Sequence, residues 1–491
     1  MLRTIRVTLA AIFFIGLTLL FLDFTGTLHT WLGWMAKTQA LEAVLALNVL
    51  VIAVLAVAAL VFGRIYCSVV CPLGILQDII GWMGKKAHKN RYTYSTEKKW
   101  LRYGVLGLFI VSFLAGVGSL VQLLAPYSSF GRIMTMIFQP LYKLGNNMLA
   151  SMTDSYTFYS VDVWMKSMPV LIIAVVTLAV LLVLAWRHGR TYCNTICPVG
   201  TGLSLISRFS WLRIQFDTTK CKNCSMCTKN CKASCIDFKT HQVDYSRCVV
   251  CGDCIKKCNF NALKYAPVTM KKKNTVAENA PNQPSSARRS FLLATAMVST
   301  AALAQEKLVD GGLAAIKAKH SPPRITPLTP PGSLSAGNMA KRCTGCQLCV
   351  SECPNDVLRP NTDLMNLMKP TMQYDRGWCR PECTRCSDVC PAGAIKAIDK
   401  EEKSSIQIGH AVVVPKMCLS AKGEEECGNC ERHCPTGAII MVPIDKNDDL
   451  SPLQPAVDWS RCIGCGACEY VCPVSPLSAI HVEGNEVHHY L

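Results

Sequence analysis

The chain contains 29 cysteines, and 28 of them follow two repeated spellings. Six runs read C-x2-C-x2-C-x3-C or a close variant, and two read C-x3-C-P. A [4Fe–4S] cluster takes four thiolates, three of them from one tight loop with the x2 spacing. Six such runs imply about six [4Fe–4S] clusters, and with them the movement of electrons. Disulfide frameworks have no reason to repeat this spacing. Zinc ribbons lack the third cysteine at x2 followed by x3. No C-x-x-C-H occurs, so an attached c-type haem is not expected.

Half of the residues are hydrophobic, and they concentrate near the N-terminus. Four uncharged apolar stretches stand out at Val7–Leu22, Ala43–Gly63, Tyr103–Ala125 and Met168–Trp186. The last three reach the roughly 20 residues that cross a bilayer. The first extends past Asp23 into Phe24, and no small-residue cleavage site follows it, so it reads as an anchor. Arg64, Lys85, Lys86, Lys89, Arg91, Lys98, Lys99 and Arg102 crowd between the second and third stretches. By the excess of basic residues in cytoplasmic loops, that loop and the N-terminus lie inside. The formal charge of +18 omits the anionic clusters and includes these inside loops, so no nucleic-acid partner is expected.

A polar segment follows, with Lys271-Lys272-Lys273 opening a flexible linker over 269–285. Ser286-Ala287-Arg288-Arg289-Ser290-Phe291-Leu292 is close to a twin-arginine export signature, with Ala287 inserted. A weakly apolar stretch to Gln305 completes a signal or fifth span over 286–306, and Ala302-Leu303-Ala304 has the form of a cleavage site. Either reading puts the remainder outside the cytoplasm. A Pro-rich linker, 307–335, then leads into the last domain.

The second and fourth apolar stretches end in the same words. Gly63-Arg64-Ile65-Tyr66-Cys67-Ser68-Val69-Val70-Cys71-Pro72-Leu73-Gly74 matches Gly189-Arg190-Thr191-Tyr192-Cys193-Asn194-Thr195-Ile196-Cys197-Pro198-Val199-Gly200 as G-R-x-Y-C-x3-C-P-x-G. The membrane part, 1–205, therefore reads as two related halves. Cysteines at i and i+4 share a helix face, and the proline lets the chain bend there. Facing each other, Cys67, Cys71, Cys193 and Cys197 would offer four thiolates at the inner membrane surface. Three readings stand open: a further Fe–S centre, redox or copper(I)-binding thiols, or packing.

The domain at 206–268 carries Cys221, Cys224, Cys227 and Cys231, then Cys248, Cys251, Cys254 and Cys258. In two-cluster ferredoxins the fourth cysteine of each run ligates the other cluster. Hence Cys221, Cys224, Cys227 and Cys258 form one expected ligand set, and Cys248, Cys251, Cys254 and Cys231 the other. Lys232 and Asn259 stand where proline usually follows, and the surplus Cys235 competes with Cys231.

The domain at 336–491 carries four motifs: Cys343, Cys346, Cys349 and Cys353; Cys379, Cys383, Cys386 and Cys390; Cys418, Cys427, Cys430 and Cys434; Cys462, Cys465, Cys468 and Cys472. Each ends in Cys-Pro, and "PAGAI" and "PTGAI" resemble the strand that returns from a ferredoxin half. Four-motif ferredoxin subunits of molybdenum oxidoreductases pair the first motif with the last and the middle two together. That resemblance implies the sets Cys343, Cys346, Cys349 with Cys472; Cys462, Cys465, Cys468 with Cys353; Cys379, Cys383, Cys386 with Cys434; and Cys418, Cys427, Cys430 with Cys390.

The spans, both C-x3-C-P motifs and the two cluster runs of residues 1–270 resemble the NapH/MauN-type membrane ferredoxins. Residues 286–491, with the export signature and four motifs, resemble the NapG/MauM-type exported ferredoxins. The expected fold is thus a membrane α-helical bundle of four spans plus a fifth, followed by α+β ferredoxin-like poly-[4Fe–4S] domains. The resemblance implies a protein of the bacterial cytoplasmic membrane that takes electrons from the quinol pool, or from a cytoplasmic donor. Its acceptor would be an extracytoplasmic reductase or c-type cytochrome. A copper-handling assembly factor and a cluster-based redox sensor are the alternatives. No dinucleotide fingerprint or phosphate loop is present. Quinol oxidation needs a proton acceptor; Asp23, His29, Tyr127, Arg132 and Gln139 are candidates without a motif, and none is assigned as catalytic.

Overall fold

The computed structural model describes residues 2–88, 92–152, 159–268, 319–445, 447 and 451–491. The export signature, the fifth span and the Lys271–Lys273 linker lie outside them.

The apolar stretches become helices, but only two are unbroken. α1 (Leu2–Leu22) and a later helix, Met168–His188, each have 21 residues and are long and apolar enough to cross a membrane. The second stretch was expected to form one span and is instead broken. After α2 (His29–Lys37), it divides into α3 (Ala40–Leu45) and α4 (Val49–Phe62), because Leu47 takes a positive φ and Asn48 caps α4 through Val51 N–H. After α5 (Tyr66–Val69) and α6 (Pro72–His88), the third expected span breaks likewise. α7 (Lys99–Leu114) stops at Gly116, whose φ is 75°, and α8 (Gly118–Leu124) resumes the path. α9 (Pro126–Ile133), a π-helical turn at Met134–Phe138 and α10 (Gln139–Met152) follow without a gap. Then come α11 (Met168–His188), α12 (Thr191–Thr195) and α13 (Pro198–Ser207).

This helical part is inside-out relative to a water-soluble domain. Ile5, Leu9, Ile12 and Ile15 on α1, Val54 and Val57 on α4, and Val176 and Val183 on α11 are exposed. Arg64, Arg102, Arg132 and Arg190 are fully buried. Apolar outside and charged inside is the arrangement that suits a lipid surround.

The two-motif unit is small and strand-poor. β1 (Leu212–Phe216) pairs antiparallel with the last strand, Leu263–Pro267, closing the unit on itself. Between them lie α14 (Met226–Lys229), the hairpin β2 (Ile236–Asp237) and β3 (Gln242–Val243), α15 (Asp253–Lys256) and then β4 (Leu263–Pro267).

The four-motif unit starts earlier than expected. Residues 319–335, read as linker, are packed into it. Lys319 Nζ donates to the Glu469, Tyr470 and Cys472 carbonyls, and Arg324 pairs with Glu469 at 2.7 Å. α16 (Ala336–Arg342) and α17 (Leu348–Glu352) lead to the hairpin β5 (Leu358–Pro360) and β6 (Pro370–Met372). α18 (Arg385–Asp388), α19 (Lys400–Ser405) and β7 (Ile406–Val413) follow. α20 (Asn429–Arg432), the hairpin β8 (Ile439–Pro443) and β9 (Leu453–Val457), α21 (Ala467–Val471) and β10 (Ile480–Tyr490) complete it. β10 pairs antiparallel with β7 and ties the two halves together. "PTGAI" runs into β8 as expected, whereas "PAGAI" forms turns, with no strand.

All four apolar stretches reach between the two cysteine-rich units. At the two-motif end, Arg3 pairs with Asp253 at 2.7 Å, the Leu60 carbonyl accepts from Trp211 N–H, Arg102 holds Ser246, and Arg190 N–H donates to the Lys232 carbonyl at 2.8 Å. At the four-motif end, Gly26 lies against Arg385, Ala46 against Gly393, Gln122 donates to the Cys343 carbonyl, and Lys166 Nζ donates to the Val350 carbonyl at 2.7 Å. A 21-residue helix is about 30 Å long, the thickness of a bilayer's hydrocarbon core.

Candidate metal centres

The cysteines gather into seven groups. Cys221, Cys224, Cys227 and Cys258 line one cavity with Phe216 and Phe260. Cys248, Cys251, Cys254 and Cys231 are buried together, and Cys254 is also within electrostatic reach of Cys227 in the neighbouring group. Cys235 stands inside this second group, 3.5 Å from Cys231 and bonded to Cys248. The Cys235 thiol donates to Cys231, whose sulfur also accepts from the Ala233, Ser234 and Cys235 amides; this pulls Cys231 down to about 7 and pushes Cys235 up. A cradle of backbone amides marks Cys231 as the thiolate of the pair.

Lys232, which stands where proline usually follows, makes two kinds of contact. Its carbonyl accepts from Arg190 N–H, and its Nζ lies 3.1 Å from Asp78 and 3.2 Å from Asp253.

In the four-motif unit the first motif lies with the second and the third with the fourth. Cys390 stands with Cys343, Cys346 and Cys349, and Cys353 with Cys379, Cys383 and Cys386. Cys418, Cys427, Cys430 and Cys472 line one cavity, and Cys434, Cys462, Cys465 and Cys468 another. The expected partners Cys472, Cys353, Cys434 and Cys390 are therefore each reassigned. The cause is local: β5–β6 and β8–β9 each fold one motif back onto its immediate predecessor, so neighbours in sequence exchange their fourth cysteines.

These groups suit iron–sulfur clusters. The fourth cysteines accept backbone N–H bonds: Ala262 to Cys258 at 3.3 Å, Ile395 to Cys390 at 3.5 Å and Ala438 to Cys434 at 3.2 Å. Such bonds to sulfur tune a cluster. Burial pushes the thiols of Cys343 and Cys465 up to about 12, and those of Cys379 and Cys430 to about 11. Thiolates there need a cationic core beside them. Among the described residues no three Cys, His, Asp or Glu side chains converge on one ion-sized point. The thiols surround volumes instead. Bound clusters would supply one-electron carriers at each group.

The seventh group is Cys67, Cys71, Cys193 and Cys197, all buried and mutually close. Its two halves hold each other reciprocally. Arg64 donates to the Cys193 carbonyl at 3.1 Å, and Arg190 donates to the Cys67 carbonyl at 2.6 Å. Gly74 and Gly200 lie against those same carbonyls, where a Cβ would collide. Gln77 Nε2 donates to Cys193 Sγ at 3.2 Å, Arg64 Nη2 lies 3.8 Å from Cys67 Sγ, and Gly200 N–H donates to Cys197 Sγ. Asp78 gathers Arg6, Arg190 and Lys232 at 2.9, 2.7 and 3.1 Å. The shared spelling contained the arginines and glycines, but their roles needed both halves in contact. Gln77 and Asp78 lie outside it and carried no signal.

Residues 43–90 and 168–217 both match one family described as a 4Fe-4S binding domain, in step with the internal repeat. Residues 425–476 match a 4Fe-4S dicluster domain, which holds the third and fourth motifs together. A second dicluster family matches residues 244–357. The methylamine utilization ferredoxin-type protein MauM of Methylobacillus flagellatus is 34% identical over 34% of this chain and 71% of its own length. The ferredoxin-type protein NapG of Escherichia coli is 32% identical over 33% of this chain and 75% of its own.

The chain belongs to the MauM/NapG family of ferredoxin-type proteins.

The methylamine utilization ferredoxin-type protein MauN of Paracoccus denitrificans is 25% identical over 40% of this chain and 56% of its own length. The MauM/NapG likeness thus accounts for about a third of this chain.

Of the five proton-acceptor candidates, Asp23 is taken up in capping its own turn, accepting from the Thr25, Gly26 and Leu28 amides. Arg132 is used on the Gln122 carbonyl and Ser129. Tyr127 is buried among Phe21 and Phe130, and His29 packs on Gly33. Gln139 lines a cavity with Lys166, beside α17.

Proposed function

We propose that this chain is a membrane-spanning conduit that carries electrons between the quinol pool and an extracytoplasmic acceptor. The observation that carries the reading is the unbroken succession of thiol groups. From the Cys221 group it passes to the Cys248 group through Cys227 and Cys254. Lys232 and Arg190 join that group to the quartet. Beyond the quartet, Tyr66 lies within reach of Cys71 and Glu42, and Tyr127 within reach of Glu42 and Cys346. Ser128 donates to the Thr344 carbonyl at 2.6 Å, next to that group. Cys349 then neighbours Cys386, Cys379 N–H donates to the Cys465 carbonyl at 3.0 Å, and Cys468 neighbours Cys430. A sensor needs one centre; a row of seven suits conduction.

The membrane setting is supported by the 21-residue helices, the apolar outer surface and the way all four apolar stretches link the two units. On this reading four crossings survive the helix breaks, because the broken stretches still run from one unit to the other. The basic residues between α6 and α7 would, on this reading, set the two-motif unit in the cytoplasm. The terminal acceptor would be a reductase or c-type cytochrome meeting the Cys418 group, the last in the row. The quartet would hold a further Fe–S centre, its buried sulfurs already served by Gln77 and Arg64.

The test is anaerobic. The full chain in detergent is mixed with a reduced naphthoquinol, and the iron–sulfur absorbance is followed. Bleaching is expected, and a Cys193→Ser variant should cut off electrons from a cytoplasmic-side donor to the outer groups. If dithionite reduces the clusters and no quinol does, the quinol step is overturned. Copper(I) bound stoichiometrically by the quartet would then make metal handling the better reading.

A further inference from the structure

One cavity has no part in the row of thiols. It measures about 260 Å³, just below the roughly 300–1,000 Å³ of most small-molecule pockets. Thr135, Met136, Gln139, Trp164, Lys166 and Leu171 line it. Thr135 and Met136 come from the π-helical turn Met134–Phe138. Single π turns inside α-helices recur at functional sites.

Its polar atoms are incompletely used. Thr135 is 1% exposed, and its Oγ1 has no partner. Trp164 Nε1 is also buried without a partner. The indole is clamped by the guanidinium groups of Arg359 and Arg376, at 4.4 and 4.8 Å. A buried donor left unpaired is costly, and native proteins carry few of them. Lys166 adds a half-buried ammonium with bonds to the Val350 carbonyl and Gln139 Oε1. The unmet groups, an indole N–H and a hydroxyl, can both donate, and in a mostly apolar wall they suit oxygen acceptors on a flat apolar body. Phe138 at the end of the π turn, Leu141 on α10 and Ile172 on α11 are exposed and offer an apolar way out.

The cavity is joined to a thiol group by direct bonds. Gln139 Nε2 donates to the Ser351 carbonyl at 3.2 Å, and Lys166 Nζ to the Val350 carbonyl at 2.7 Å. Both carbonyls belong to α17, which carries Cys349. A ring held there would lie beside the Cys343, Cys346, Cys349 and Cys390 group.

We propose that this cavity binds the headgroup of a lipophilic quinol, with Trp164 and Lys166 donating to its oxygens and Thr135 fixing the ring. The inference rests on the conduit reading and adds the point of entry. Oxidation breaks the two O–H bonds and leaves the quinone. Two electrons leave singly, the oxidant being the iron–sulfur centre on that neighbouring thiol group, and two protons pass to water on the four-motif side.

The experiment uses the full chain in detergent and a photoactivatable azido-naphthoquinone. Crosslinks are mapped by mass spectrometry, and affinity is measured by displacement with unlabelled naphthoquinone. Labelling is expected within 134–143 or 163–171. Thr135→Val, which keeps the shape, and Trp164→Phe should each weaken binding about tenfold, the loss expected for one hydrogen bond. Iron per chain and the dithionite-reduced EPR signal should not change. Labelling elsewhere, or unchanged affinity in both variants, overturns the site even if quinol bleaches the clusters. Labelling here without bleaching leaves the site standing and overturns the conduit reading instead.

Discussion

The six ferredoxin-type thiol groups and the quartet of Cys67, Cys71, Cys193 and Cys197 solve one problem in different ways. Both bury sulfur and both must supply donors to it. In the ferredoxin loops most donors are backbone amides a few residues on, as at Cys258, Cys390 and Cys434. In the quartet, side chains from far in sequence do much of this work: Gln77 reaches Cys193, and each half's arginine holds the other half's cysteine carbonyl. A loop that carries its own donors can be moved or duplicated. The quartet works only when two helix ends meet, so its neighbours are as constrained as its cysteines.

The comparison breaks most severely at the quartet. Cys71→Ser should abolish electron passage from the two-motif to the four-motif unit while leaving in place the about 24 iron atoms of the six ferredoxin-type clusters. Stopped-flow reduction and iron analysis would check it. Wholesale loss of iron would show that the quartet holds the fold rather than the row.

Pairing among the outer loops is tested by iron counting. Cys434→Ser with Cys465→Ser should lose one cluster, about four irons, because both line one cavity. Cys434→Ser with Cys386→Ser should lose two. The reverse pattern, two clusters lost in the first double variant and one in the second, would restore the order implied by the molybdenum-enzyme subunits.

Asp78→Asn should destabilise the quartet region by about 3–5 kcal/mol, since it strands Arg190 and Arg6 in a buried setting. Thermal unfolding in detergent should register it. A smaller effect is expected from Gly200→Ala. Its Cβ would meet the Cys193 carbonyl at 2.5 Å and Arg64 Nη2 at 2.7 Å, at a cost of about 1–3 kcal/mol. Gly202→Ala, which meets nothing within 4 Å, is the control and should be silent.

The smallest effect distinguishes the four-motif unit by pH. Burial holds His488 neutral, lowering it from 6.5 to about 4, while its Nε2 meets Thr329 Oγ1 at 3.0 Å. A histidine depressed on folding binds its proton more readily when unfolded. Its contribution is full above about pH 6.5 and is lost as pH falls toward about 4. A His488→Gln variant should flatten that decline in acid unfolding curves; an unchanged slope would assign it to other groups.

Cysteine spacing alone determined the ferredoxin-type loops, because three ligands and their backbone donors lie within about ten residues. It also exposed the duplicated G-R-x-Y-C-x3-C-P-x-G unit and the apolar stretches. It did not determine where those stretches break. Leu47 and Gly116 take positive φ inside runs whose composition reads as continuous helix. Nor could spacing choose the fourth cysteines of the outer loops, since each motif offers the same Cys-Pro to every other. Only the β5–β6 and β8–β9 hairpins made neighbours into partners. The tertiary structure likewise decided the meaning of Lys232, Gln77 and Asp78. The bonds Lys232–Asp78, Gln77–Cys193 and Asp78–Arg190 cross more than 100 residues of sequence, and a contact of that span leaves no period or spacing to read.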